Sequence, residues 1–354
     1  MPTLSDRGPR PPERHRGAQG LSGPALKRRV APVRAEAAVH PVVVLAAAAI
    51  GAGLLTWFAS GRSKRLGPAG SEGRRYARRG SAVTASAAQR LNHASTMLAA
   101  SVLFDSGLEH YRGQFFNRAM YTPIIVSSVT LAASLHGAGD TDPGSSRVRH
   151  GVQALAGLTG LIGFGFHAYN VGKREGGYSF QNLFYSAPIG APMALTLAGI
   201  LGVIAEHVRD ADPDAPRLVG LPAGPALALA TAGMLAGTTL EAGLLHFRGA
   251  FQNPAMYIPV SLPPLAAALL ARAAAKPAGA NQAGAKWGMW AVSAMGVGGV
   301  AFHAYGVARM MGGWDNWRQN LIDGPPLPAP PSFSGVALGG LAALELLEHR
   351  PFRF

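Results

Sequence analysis

Two short blocks hold most of the side chains in this sequence that could do chemistry among apolar neighbours. FDSGLEHYRGQFFNRAMYTP at 104–123 returns as LEAGLLHFRGAFQNPAMYIP at 240–259, with 11 of 20 positions identical at an offset of 136. GFGFHAYNVG at 163–172 returns as GVAFHAYGVA at 299–308, with six of ten identical at the same offset. Of the 11 histidines, only the pairs His110/His246 and His167/His303 recur in register. A neutral imidazole nitrogen is a good ligand for iron and other transition metals. Two histidines on different helices suit a haem held by two axial imidazoles, or a metal completed by a carboxylate. His110, His167, His246 and His303 are therefore the candidate axial ligands, with haem b or a transition metal as the cofactor they would hold.

The other repeated polar positions have narrower uses. Asp105 and Glu241 are candidate metal ligands, but Asp105 and His110 lie five apart, about 140° around a helix, and converge on one ion only if the helix end unwinds. Arg112 and Arg248 could clamp an anion such as a substrate or a haem propionate; snorkelling to a lipid phosphate is the simpler use. Asn117 and Asn253 precede Ala-Met-Tyr and suit helix N-caps. Tyr121, Tyr169, Tyr257 and Tyr305 suit an interfacial aromatic belt, as do Trp287, Trp290, Trp314 and Trp317. The plainer use of His110 and His246 is to cap a helix end or bond a backbone carbonyl.

The elements that must position these residues are apolar helices. The chain of 354 residues is 48% hydrophobic and 14% charged, well below the roughly 25% charge of soluble domains. Residues 41–60 carry no charge, and 20 apolar residues at about 1.5 Å each cross a bilayer core. Eight further apolar stretches follow near 91–111, 119–136, 151–172, 183–205, 225–247, 254–271, 287–308 and 328–347. They are rich in Ala, Gly, Ser and Thr, which lets membrane helices approach closely. Gly157, Gly160, Gly163 and Gly165 form one small-residue series, and Gly296, Gly298 and Gly299 another.

The expected fold is an all-α integral membrane protein with nine transmembrane helices, one leading helix followed by two tandem four-helix repeats. The divisions are a basic tail or transit segment at 1–37, the leading helix at 38–60, a basic linker at 61–84, and repeats at 85–210 and 222–350. An even number of spans per repeat makes the copies parallel, so equivalent residues share one depth. The first and third spans of each unit run the same way, which brings the two histidines of each pair to one membrane face. A third match, NLFYSAPIGAP at 182–192 against NLIDGPPLPAP at 320–330, needs a two-residue shift. Its prolines lead into the fourth span, either as an irregular loop or as a broken helix that binds substrate.

The net charge of +14 does not point to nucleic acid. Residues 1–90 hold 16 of the 32 Lys and Arg against four acids, so the excess sits in flanking segments, where it fits anionic lipid headgroups. The partners expected are therefore the lipid bilayer and either a redox partner or a small-molecule substrate. With no cysteine, thiolate zinc sites, iron–sulfur clusters and disulfides are excluded. No phosphate loop, dinucleotide fingerprint, nucleophile elbow or HExxH is present. The functions left are a haem- or metal-binding electron-transfer subunit, a small-molecule or ion transporter with a pathway between the repeats, and a structural subunit without ligand. A bacterial inner membrane fits the composition, with an organelle membrane after transit-peptide cleavage as the alternative. The more basic face, which holds 61–90, Arg147/Arg149, Arg209/Arg217 and Arg272/Lys276/Lys286, is expected in the cytoplasm.

Overall fold

The computed structural model describes residues 71–142 and 144–348, with side chains from 82 onward. The tail at 1–37 and the leading span at 38–60 lie outside the described residues. Eight long helices and two short ones make up nearly all the rest. They are α1 (Ser71–Arg112), α2 (Thr122–Gly139), α3 (Arg147–Gly172), α4 (Phe180–Tyr185), α5 (Met193–Arg209), α6 (Ala223–Arg248), α7 (Ile258–Ala275), α8 (Gly279–Ala308), α9 (Trp317–Asp323) and α10 (Pro331–Glu348). The sole sheet among the described residues is a hairpin of two two-residue strands, β1 (Arg217–Leu218) and β2 (Leu221–Pro222).

Each of the eight later apolar stretches overlaps one long helix, with informative differences at the edges. Helix α1 begins at Ser71, well inside the segment expected to be a linker. Its alanines at 82, 85, 87 and 88 favour helix over loop. The stretch at 183–205 is not one span. It is the short α4, an irregular SAPIGAP segment and then α5. Pro188 and Pro192 lack the amide that a continuing helix needs. The segment before α10 is irregular for the same reason. The Pro-rich connections are thus loops leading into helices.

Helix α1 packs on α2 and α5, and α3 packs on the same two, so α1 and α3 face one another diagonally in a four-helix bundle. Helices α6, α7, α8 and α10 repeat this ring, with α6 diagonal to α8. One hydrophobic core runs through both bundles, from Leu91 and Leu98 on α1 through Leu201 on α5 and Leu235 on α6 to Leu344 on α10. The tightest contact between bundles is α1 against α10. Gly335 makes it close: a Cβ there would lie 2.9 Å from the Leu98 side chain and 3.0 Å from the Ala94 carbonyl.

Five described helices are long and apolar enough to cross a membrane: Arg118–Gly139, Arg147–Gly172, Ala223–Arg248, Pro254–Ala275 and Gly279–Ala308. Their outward faces carry the apolar bulk that a bilayer would cover. On α3, Leu155, Leu158, Leu161 and Ile162 are each more than half exposed, and on α8 Trp287, Val297 and Phe302 are too. Helix α10, by contrast, is buried along almost its whole length. This distribution fits an integral membrane protein with its most enclosed helix at the centre.

Glycines set the spacing inside each bundle. A Cβ on Gly160 would meet the Thr196 hydroxyl and amide and the Pro192 carbonyl, whereas Gly165 has open space. Gly160→Ala should lower the thermal midpoint of detergent-purified protein, costing about 1–3 kcal/mol of overpacking. Gly165→Ala should leave it unchanged or raise it slightly.

Candidate functional site

Both repeated turns have the same unusual backbone. After α1, Gln114 and Phe115 sit at φ +58 and +46, and after α6, Ala250 and Phe251 sit at +53 and +47. Two successive non-glycine residues in the left-handed region are strained by about 1–3 kcal/mol each. The strain folds the chain back on the helix end: the Phe115 amide donates to the His110 carbonyl (3.0 Å) and that of Phe251 to the His246 carbonyl (3.1 Å). Each phenylalanine then meets the histidine ring edge-on, at 6.2 and 6.3 Å, and stacks on Tyr121 or Tyr257 at 4.4 and 4.6 Å. Asn117 and Asn253 cap the single 3-10 turns that lead into α2 and α7, accepting from the amides of Ala119 and Ala255 at 2.9 Å. They are N-caps, as their position suggests, but of the turn rather than of the long helix.

All four repeated histidines are held alike. The Nδ1 of His110 bonds the Met120 carbonyl (2.6 Å), and that of His246 the Met256 carbonyl (3.1 Å). The Nδ1 of His167 bonds the Pro188 carbonyl and that of His303 the Pro326 carbonyl, both at 2.6 Å. A carbonyl only accepts, so each Nδ1 carries a proton, and in the neutral imidazole Nε2 is then the nitrogen with the free lone pair. The proline segments exist in the sequence as helix breaks; here their carbonyls orient the second histidine of each pair. His110 lies near His167, and His246 near His303, brought together from diagonal helices.

The remaining candidates divide. Helix α1 is unbroken to Arg112, so Asp105 and His110 stay on different sides of it. Among the described residues no group of three His, Cys, Asp or Glu could hold a metal ion. The geometry therefore does not bring Asp105 or Glu241 to a histidine as a third ligand. Glu241 instead reaches across to the Gly190 backbone in the first bundle, close to Asp105. Arg112 is held by Glu109 and by the Ile322 carbonyl of the second bundle. Arg248 lies 5.8 Å from the Tyr185 ring of the first bundle, and Phe247 packs against Phe184 at 4.9 Å. The two arginines thus tie each bundle to the other's short helix, at the end where both histidine pairs sit. Tyr169 and Tyr305 are exposed, each beneath a cation, Lys173 or Arg309. The four tryptophans are exposed.

Reading the sequence missed several residues. Phe115, Phe251, Met120 and Met256 belong to the repeated block, and their recurrence was the available signal. Asn182 and Asn320 each donate twice to the backbone before their helix, Asn182 to Glu175 and Gly177 (2.9 and 2.8 Å), Asn320 to Met311 and Gly313 (3.1 and 2.8 Å). At the opposite end of the first bundle lies a buried ionic cluster with no counterpart in the repeat. Arg149 donates to Glu206 through Nε (2.7 Å) and to Asp140 through Nη1 (2.7 Å), and Arg209 donates to the carbonyls of Gly137, Asp140 and Asp142, each at 2.8 Å. Arg149 and Arg209 are 3% and 2% exposed. Arg149 answers internal acids and Arg209 backbone carbonyls, rather than headgroups, so two of the charges that would place that face in the cytoplasm drop out of the count.

No protein-family model, curated protein or solved structure matches the chain.

Two outcomes follow from the ionic cluster. Glu206→Gln leaves Arg149 buried without its main counter-charge, at a cost of about 3–5 kcal/mol, read as a large drop in thermal midpoint. At Asp140, burial alone would raise the carboxyl, but the Asp142 amide and the neighbouring Arg149 and Arg209 outweigh it and hold it below its ordinary value. A lowered carboxyl stabilises the fold above about pH 4 and loses that contribution as pH falls through the lowered value. Asp140→Asn should therefore lower the midpoint at pH 7, and the gap to the natural chain should close in acid.

Proposed function

We propose that this chain is a nine-span membrane protein, a leading helix followed by two tandem parallel repeats, and that each repeat holds a haem between its paired histidines for electron transfer. The observation that carries this reading is the shared state of His110, His167, His246 and His303. Each gives its Nδ1–H to a backbone carbonyl, which in the neutral imidazole leaves the Nε2 lone pair for a ligand bond. This is how proteins prepare imidazoles for iron and other metals, since the carbonyl fixes the tautomer, orients the ring and raises its basicity. Ligands on facing helices of a four-helix bundle are the usual way such bundles hold a cofactor. The same hydrogen bond would also suit a histidine that only ties a turn together. Four recurrences at two different kinds of break, a 3-10 turn and a proline loop, favour a ligand.

Several features support the parallel arrangement. The C-terminal ends of α1 and α6 each reach the other bundle's short helix, so both histidine pairs lie at one end of the molecule. Two haems at one depth would pass electrons along that face, to each other or to a docked partner, rather than across the bilayer. A bacterial inner membrane, or an organelle membrane, remains the setting that the composition favours. The transport alternative needs a polar pathway to both faces. The buried apolar layer of Val102, Ala156 and Leu195 crosses the first bundle and counts against it.

The test is an absorption spectrum of detergent-purified protein, oxidised and then reduced, with elemental analysis of the same sample. Two haems per chain are expected, one lost in His167→Ala and the other in His303→Ala. A well-folded preparation that is colourless and free of metal would overturn the reading and leave a structural subunit or a transporter.

A further inference from the structure

The second bundle serves as an internal control for the first. Residues correspond 136 positions apart, and 138 apart on the fourth helix, where a Cβ on Gly202 would meet Gln153 and one on Gly340 would meet Met289. In the first bundle Ser95, Ser134 and Gln153 are fully buried and close a ring of hydrogen bonds: Ser95 to Gln153 (3.2 Å), Gln153 to Ser134 (2.8 Å) and the two hydroxyls together (2.8 Å). Their counterparts are Thr231, Leu270 and Met289, in which only the threonine hydroxyl survives, with no partner among the described residues. Arg149, Glu206 and Arg209 become Ala285, Leu344 and Leu347, all buried. Asn92 becomes the buried Ala228. The same fold is therefore packed once with apolar side chains and once with polar ones. Polar and ionisable groups in a membrane interior are costly and mark pathways more often than packing. The apolar twin shows that the fold itself does not require them.

The polar set extends from one end of the bundle inward. It begins at the Arg149–Glu206–Asp140 cluster and passes Arg209 and Asn92 to the serine–glutamine ring. At its middle two buried atoms find no partner among the described residues, the donor Arg209 Nε and the acceptor Asn92 Oδ1. Both side chains converge on Gly137: Arg209 bonds its carbonyl, and the Asn92 amide group fills the space that a Cβ there would take. A donor and an acceptor left over at one polar spot are what a buried water bridges. Beyond the ring, Val102, Ala156 and Leu195 close the path before it reaches His110 and His167.

We infer that the first bundle, and not the second, contains a water-lined half-channel. It opens at the Asp140/Arg149 end, stops at the Val102 layer, and carries protons toward the His110/His167 pair. Protons fit better than metal cations, because the path is a chain of hydroxyls, amides and balanced ion pairs with no cluster of free carboxylates. This inference does not depend on what the histidines hold.

The chain has no cysteine, so one introduced thiol is the only thiol present. The full chain is reconstituted in lipid vesicles and exposed to Ag+, an ion close to water in size. The thiol of Ser95→Cys should react at least tenfold faster than that of Thr231→Cys. Ser134→Cys against Leu270→Cys repeats the comparison should either of the first pair fail to fold. Equal rates in a folded pair overturn the half-channel. For the proton, vesicles carry an internal pH dye and a potassium diffusion potential. Val102→Ser, which makes the apolar layer polar, should raise proton entry at least tenfold over the natural chain. Adding Gln153→Met, the residue of the second bundle, should cancel the rise. No rise, or a rise that survives Gln153→Met, overturns proton conduction.

Discussion

A hydrogen bond from an imidazole Nδ1 to a backbone carbonyl outside a regular helix occurs four times among the described residues, and much of the architecture serves to make it. Within a helix each carbonyl already accepts a backbone amide, and its spare lone pair serves side chains about one turn away, as Val203 serves His207. The four carbonyls that meet these histidines come instead from other segments, each at a break in the helical ladder. The chain provides two kinds of break: the strained turn ending in a 3-10 helix after α1 and α6, and the proline segment before α5 and α10. The first serves His110 and His246, the second His167 and His303.

Those breaks also join the bundles. The short helices α4 and α9, which precede the proline segments, are what Arg248 and Arg112 reach from the opposite bundle. Glu241 makes the same crossing to Gly190 within the proline segment itself. Disturbing one histidine's carbonyl therefore disturbs the contact between bundles, and the four rings are held by a shared frame rather than by four separate loops. The strain at Gln114, Phe115, Ala250 and Phe251 is tolerated because each phenylalanine is pinned between a histidine edge and a tyrosine face.

Sameness at one end and difference at the other divide the molecule by depth. At the histidine end the bundles agree in backbone angles, ring stacking and carbonyl partners. At the opposite end one bundle holds Arg149, Glu206 and Gln153 where the other holds Ala285, Leu344 and Met289. The two bundles thus share their histidine turns while their interiors differ, and the electrostatic surroundings of the two histidine pairs differ accordingly.

Residue order alone determined much of this. The positions of the long helices follow from runs of roughly 18 or more apolar residues, because a helix satisfies the backbone of such a run within the segment itself. The histidine pairs follow from recurrence at one offset, and the N-cap role of Asn117 and Asn253 from a short side chain before a helix start. Only the tertiary structure decided the rest. That α1 lies diagonal to α3 depends on which apolar faces pack, and apolar runs do not specify their neighbours. That Asp105 fails to join His110 depends on the helix staying wound to Arg112. The pairing of Arg149 with Glu206, 57 residues apart, has no local signature, since a buried ion pair is a matter of three-dimensional contact and not of spacing. Read in sequence, Arg149 and Arg209 are surface charges; folded, they are the most deeply buried cations among the described residues, because Glu206 and Asp140 meet Arg149 from other segments and three backbone carbonyls meet Arg209.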